Sequence, residues 1–434
     1  MLFHRLVLLA ANSDATEPLL SLDLIHTIAF GGLVLLIGYG LQRLIRPLAT
    51  YNIPAPVVGG LLVATASLAA TSSGHTLFRF DTTLRDPLMI AFFTTIGFGA
   101  SFALLRKGGP QVAWFWVAAT LVGGLQNALG AAVAMALGEP PLLGVLCGSV
   151  TLTGGPATGL AFAEQFEAAG VEGAATIAVA AAMFGIVSGG LLGGPIGTLL
   201  VRRYGLKSRS THAESLMAIH QPPTIATAAS VVEERLAEPV VEAPPGEDPE
   251  AWVLLKNLIL LLLAMWAGSW ISSWLTAHGV TLPAYIGGML VAALLRNLDD
   301  LTGRIGLSQR TLDDLGNVAL ALFLVLALMT LQLERLAGLA VPLAILVAVQ
   351  VALTALCCWP VFSAMGKDYD AAIMAGGFCG FMLGTTANAM ANMTALTERY
   401  GVAPRAFLVV PMVGAFFLDF SNALIITGCL MALG

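Results

Sequence analysis

Three stretches of an otherwise apolar chain carry side chains able to do chemistry. The first is Gly148-Ser149-Val150-Thr151-Leu152-Thr153-Gly154-Gly155-Pro156-Ala157-Thr158-Gly159. The second runs from Gly376 to Asn392 through Gly384-Thr385-Thr386-Ala387-Asn388, and the third is Phe416-Phe417-Leu418-Asp419-Phe420-Ser421-Asn422. In the first two, glycine and threonine, with Pro156 in the first, interrupt helices among apolar neighbours. Such a break is tolerated in hydrocarbon only where protein or a wet cavity surrounds it. It exposes amides, which suit a carboxylate at the start of the following half-helix. Beside them it offers carbonyls and the hydroxyls of Thr151, Thr153 and Thr158, which suit a small hard cation. The competing reading is close helix packing, but contiguous Thr-Gly-Gly-Pro fits a break better than a stripe spaced at four residues.

Asp419 lies among aromatic residues within a spanning segment, where an acid costs about 2.5–3.5 kcal/mol on insertion scales. It therefore reads as a cation ligand, a proton site or a counter-charge for an ammonium, ahead of a static pair with arginine or a helix terminus. Asn388 and Asn392 share a helix face one turn apart. They serve either as polar ligands or as an interhelical hydrogen bond. Gln126-Asn127 reads as a packing pair between helices, Glu164 as a solvated acid, and Asp86 as the cap of a helix whose first turn holds Pro87.

These residues must be positioned by a chain built for lipid. Of 434 residues, 57% are hydrophobic and 11% charged, with mean hydropathy +0.86, against about 25% charged in a soluble domain. The net charge of −6 and the lack of a basic patch interleaved with aromatics exclude nucleic acid as a partner. Cys147, Cys357, Cys358, Cys379 and Cys429 lie in apolar runs, which argues against disulfides and zinc. The histidines (His4, His26, His75, His212, His220 and His278) fall at span ends or in loops. An intramembrane enzyme would need such groups at depth, and a channel would need a continuous polar path, so neither class is favoured and no organic cofactor is expected.

Apolar runs of about 20 residues predict ten spans: 23–44, 55–71, 87–105, 111–137, 174–201, 251–275, 283–296, 315–334, 339–363 and 404–432. The polar segments 142–168 and 371–398 are expected as re-entrant loops that do not cross. With Arg43 and Arg46 inside, this count leaves only Arg5, Arg79, Arg85 and Arg335 outside among 20 basic residues, as the positive-inside bias requires. Residues 1–21 are expected to be an extracellular leader. Residues 208–250, rich in proline and glutamate, are expected to be a disordered cytoplasmic linker.

The halves on either side of that linker, 22–207 and 251–434, repeat. Gly59-Gly60-Leu61-Leu62-Val63-Ala64 returns as Gly287-Gly288-Met289-Leu290-Val291-Ala292 at an offset of 228, which also relates Gly148 to Gly376. An offset of 229 relates Gly155 to Gly384 and Met183-Phe184-Gly185 to Met412-Val413-Gly414. Five spans per half is an odd number. The expected fold is thus an all-α polytopic membrane protein of two inverted five-helix repeats, each with a re-entrant hairpin, the tips meeting near the midplane.

At Ile53 to Leu62, Leu84 to Met89, Gln126 to Ala128, Thr151 to Gly159, Gly380 to Met393 and Phe407 to Asp419 the sequence resembles the sodium/glutamate symporter family. The resemblance runs from about Leu22 to the C-terminus and fails in the linker and the leader. It implies sodium-driven uptake of glutamate by alternating access across the bacterial inner membrane, through ten helices and two re-entrant loops, in a homodimer with moving transport domains. On that reading the substrate is assigned to Thr153, Gly154, Gly155, Thr158, Thr385, Thr386 and Asn388, and sodium to Thr151, Asn392, Asp419 and Asn422. Pro156-Ala157 stands where the family pattern has His-Gly, Phe378 where it has His, and Ala387 where it has Pro. These departures keep open another small carboxylate or amino acid as substrate, with sodium or protons as the coupling ion.

Overall fold

The computed structural model describes residues 18–208, 248–277, 284–336 and 338–434. Most of the leader and of the linker lies outside the described residues. Where the leader ends, a strand that helix-based reading did not anticipate, β1 (Leu20–Leu22), pairs in parallel with β2 (Phe78–Phe80). Phe30 covers this ribbon, 5.3 Å from Phe78 and 5.9 Å from Phe80. Asp23 then caps the first helix by accepting from the His26 amide at 2.9 Å. In the loop after β2, the hydroxyl and amide of Thr83 hold the Asp81 carboxyl below the usual carboxylate range.

The first half continues as α1 (Leu24–Leu44), α2 (Ala55–Thr71), α3 (Arg85–Phe98), α4 (Phe102–Ala136), α5 (Pro141–Val145), α6 (Gly155–Ala168) and α7 (Ala174–Arg203). The second half is α8 (Pro249–Ala277), α9 (Ala284–Thr302), α10 (Gln309–Met329), α11 (Ala340–Ala364), α12 (Tyr369–Met382), α13 (Thr386–Tyr400), α14 (Pro404–Met412) and α15 (Leu418–Leu433). Among the described residues six helices are long and apolar enough to cross a membrane: α1, α4 from Gly109, α7, α8, α10 and α11. The chain is therefore an all-α polytopic membrane protein apart from its small two-stranded ribbon.

Several expected boundaries move. The segment 87–105 is two elements, because α3 ends at Phe98 and Phe102 already opens α4. Span 315–334 is α10, shifted to Gln309–Met329, since Ser308 caps it by accepting from the Thr311 amide. Asp86 is not a cap: the helix starts one residue earlier, and Asp86 sits in its first turn beside Arg85. Span 404–432 is interrupted by a π turn, Val413–Phe417, between α14 and α15.

The helices form two packing groups. In one, α1, α2 and α3 pack with α8, α9 and α10, and the halves exchange partners. Gly60 of α2 lies against Leu328 of α10, and Gly288 of α9 lies against Thr94 of α3. The other group gathers α4 to α7 with α11 to α15 and holds the polar stretches. Two ion pairs at one end join the groups, Arg85 with Glu164 and Arg335 with Glu172, so Glu164 is paired as well as exposed. At the opposite end Arg405 pairs with Asp368 and Arg202 meets the Tyr400 hydroxyl.

Backbone approach fixes the helix crossings. A Cβ on Gly287 would lie 2.0 Å from the Gly268 carbonyl oxygen, whereas one on Gly32 would meet nothing within 4 Å. Overpacking of this kind costs about 1–3 kcal/mol. Gly287→Ala is therefore expected to lower the melting temperature of the detergent-purified protein by several degrees, and Gly32→Ala to leave it unchanged. A thermal-shift comparison of the two checks this.

Candidate functional site

The first polar stretch breaks as its glycines dictate. α5 passes into a π turn, Leu146–Val150, in which Gly148 leaves helical geometry at φ −98° and ψ −132°. Residues 151–154 are turns, and α6 restarts at Gly155, whose φ of +67° lies in the left-handed region that glycine adopts freely. The second stretch ends α12 at Met382 and restarts as α13 at Thr386, with Thr385 extended between them. The two breaks abut. A Cβ on Gly155 would lie 3.5 Å from Thr385 Cγ2 and 3.6 Å from the Gly384 carbonyl oxygen.

Gln126 of α4 holds both breaks. Its Oε1 accepts from the Thr153 hydroxyl at 2.8 Å, while its Nε2 donates to the Met382 carbonyl at 3.0 Å and to the Thr354 hydroxyl at 3.2 Å. Its own carbonyl accepts from Gln350 Nε2 at 2.6 Å. Next to it, Asn127 Oδ1 accepts from the Ser149 amide at 2.8 Å. Sequence reading made this pair ordinary packing. The structure makes it the brace of the site, and adds Ser149, Gln350 and Thr354, which that reading passed over.

The expected site residues divide. Thr153, Gly154, Gly155 and Thr158 line the first break: the Gly154 amide donates to the Ser149 carbonyl at 2.9 Å, and the Thr158 side chain folds over Gly154. Thr385 and Thr386 are half-buried at the second break. Thr386 also reaches the π turn, where a Cβ on Gly414 would lie 2.5 Å from its hydroxyl. Thr151 is fully buried and donates to the Leu146 carbonyl of its own turn at 2.8 Å. Asn388 Nδ2 donates to Ile186 O at 2.7 Å and Asn392 Nδ2 to Gly189 O at 2.9 Å, so both tie α13 to α7. Asn392 is enclosed by Gly189, Gly193 and Gly380, a packing position. Asn388 differs, because its Oδ1 is buried without a hydrogen-bond partner among the described residues.

Asp419 follows the π turn directly and is half-buried. Its carboxylate has no hydrogen bond or ion pair among the described residues. One turn on, Asn422 Nδ2 donates to the Ser149 carbonyl at 3.1 Å. Asn422 Oδ1 and Ser149 Oγ are both buried and unpartnered among the described residues. The structure thus ties the first break to the last helix and leaves three oxygen-bearing groups there, Asp419, Asn422 and Ser149, with oxygens unpaired. Hard oxygens of this sort are what a small cation needs. Trp116 walls the region by donating from Nε1 to the Phe417 carbonyl of the π turn at 2.9 Å.

Phe378 lies apart from this chemistry. It is fully buried in an apolar cluster, edge-on to Phe115 at a centroid distance of 5.7 Å.

The family model for the sodium/glutamate symporter matches residues 20–402. The sodium/glutamate symporter of Haemophilus influenzae is 39% identical over 403 residues, covering 92% of this chain and 95% of that protein. Those of Escherichia coli and Shigella flexneri are each 40% identical over 413 residues, covering 94% of this chain and 98% of theirs.

Gln126→Leu removes the donor to Met382 and the acceptor for Thr153 together, and a buried polar group left unpaired costs about 1–3 kcal/mol. Hydrogen exchange is expected to rise at both breaks, around 151–154 and 383–385, in this single variant. Faster exchange at one break only would contradict the bracing role.

Proposed function

The chain belongs to the sodium/glutamate symporter family, and on that premise we propose that it imports glutamate with sodium by alternating access at the two helix breaks. It is a transporter and not an enzyme. The observation that carries the reading is the meeting of the breaks, Gly155 against Gly384 and Thr385, with the unpaired carboxylate of Asp419 on the helix whose Asn422 reaches the first break at Ser149.

The chemistry derives from the groups on offer. The amide ends of α6 and α13 are favourable positions for the two carboxylates of glutamate, with the hydroxyls of Thr153, Thr158, Thr385 and Thr386 as further donors. Asn388 Oδ1, buried and unpaired among the described residues, suits the substrate ammonium. Asp419 and Asn422 Oδ1 hold sodium, with Ser149 Oγ added to the set. Thr151 and Asn392 take lesser parts, since their polar groups already serve a turn and a helix contact. Sodium, once bound, offsets the cost of the acid. The departure at Phe378 argues little for a changed substrate, because that side chain packs on Phe115 and not at a break.

The reading includes two inverted repeats, residues 22–207 and 251–434, with ten spans, the segments 142–168 and 371–398 as re-entrant hairpins, and 208–250 as a cytoplasmic linker. Contacts between offset-related residues support it: Gln126 with Thr354, Thr153 with Met382, and Gly155 with Gly384. Equivalent positions touch each other only near a twofold axis relating the halves. A homodimer in the bacterial inner membrane completes the reading. The outward stripe Trp266, Trp270 and Trp274 of α8 gives it a broad face for lipid or a second copy.

In proteoliposomes, an inward sodium gradient is expected to drive labelled glutamate uptake, with unlabelled glutamate competing better than other small acids. Asp419→Asn is expected to abolish the sodium dependence while the protein still inserts and purifies. Uptake indifferent to sodium in the unaltered protein would sink the coupling, and uptake of a different acid only would sink the substrate.

A further inference from the structure

Tyr285, in the first turn of α9, is fully buried, with its ring stacked 4.1 Å from Phe93 and edge-on to Phe162 at 5.9 Å. Its hydroxyl has no hydrogen-bond partner among the described residues. A buried phenol ordinarily finds one, and leaving it unpaired is costly. Tyr285, Met289 and Ala293 are spaced at four residues and so share one face of α9. Met289 and Ala293 pack against Phe416 and Phe417 of the π turn that leads into Asp419. Tyr285 also shares a buried cluster with Ala423, one turn beyond Asp419 on α15. An unpaired donor on one helix group and an unpaired acceptor on the other therefore face the same boundary.

We propose that the Tyr285 hydroxyl takes the place of sodium at Asp419 in the empty carrier, donating a hydrogen bond to the carboxylate as the unloaded protein resets. The proposal rests on Asp419 being the sodium ligand. A bare carboxylate in an apolar boundary is costly, and a charge-assisted hydrogen bond is among the stronger ways to offset it. Tyr285 is a positioning residue in this scheme. It competes with sodium for the carboxylate and has no part in holding glutamate.

Tyr285→Phe removes one oxygen and keeps the ring packing. Two modes of transport separate its effects in proteoliposomes. Glutamate exchange with sodium on both sides never visits the empty carrier, whereas net uptake into sodium-free and glutamate-free vesicles must. The expected result is exchange within about two-fold of the unaltered protein, with net uptake reduced about ten-fold, the factor that one hydrogen bond to a charge represents. Sodium titration of the purified protein by thermal shift is expected to reach half-saturation at lower sodium in the variant. Exchange and net uptake falling equally would make Tyr285 a packing residue and overturn the proposal, as would no change in either. A flat sodium titration in the unaltered protein would overturn the underlying sodium reading along with it, whereas a normal titration with an unchanged variant defeats this inference alone.

Discussion

Backbone broken inside a hydrocarbon layer has no water to turn to, and every other feature of the site depends on how its polar groups are satisfied. Gln126 supplies most of that satisfaction. One amide accepts from Thr153 of the first break and donates to the carbonyl of Met382 at the second, while its backbone accepts from Gln350. Asn127 does the same for the amide of Ser149, whose carbonyl in turn receives Asn422. The breaks are therefore held at a set separation by side chains that span between helices, and little of their geometry is local.

The breaks themselves were legible because their cause is local. Contiguous glycine and threonine, joined by Pro156 in the first stretch, do not favour a continuous α-helix, and the interruptions at 151–154 and 383–385 lie where those residues are. The prominence of Asp419 was legible for the same reason, since the cost of an acid among phenylalanines needs no partner to be recognised. The role of Gln126 was not. Its partners Thr354 and Met382 are 228 and 256 residues away, and a glutamine in a spanning helix looks alike whether it joins two packed helices or two broken ones. The same holds for Asn392, whose crevice of Gly189, Gly193 and Gly380 is assembled from two other helices. β1 (Leu-Ser-Leu) and β2 (Phe-Arg-Phe) are too short for an alternation to be read as a period, and the Asp86 cap failed because Leu84 already stands at the helix N-terminus.

The two halves match in form more closely than in chemistry. The offset of 229 that relates Gly155 to Gly384 places Gly190 where Asp419 stands. Both halves build a broken helix, but only one carries the acid. A site shared between halves need not share its charges between them, and an asymmetric ligand such as an amino acid is better matched by a frame whose two sides differ.

The π turn at Val413–Phe417 fixes the rotational phase of the last helix. Each residue of an α-helix advances the side-chain direction by about 100°, and a π turn admits one residue beyond the α ladder. The buried face of α14, set by Ala406, Val409 and Val410, therefore resumes in α15 at Leu418, Ser421 and Asn422, while Leu424 faces outward. Without that extra residue the same letters would still read Asp-Phe-Ser-Asn, yet the acid and its neighbours would point in another direction. The stereochemical address of Asp419 is thus written upstream of it, in five residues that carry no ionisable group.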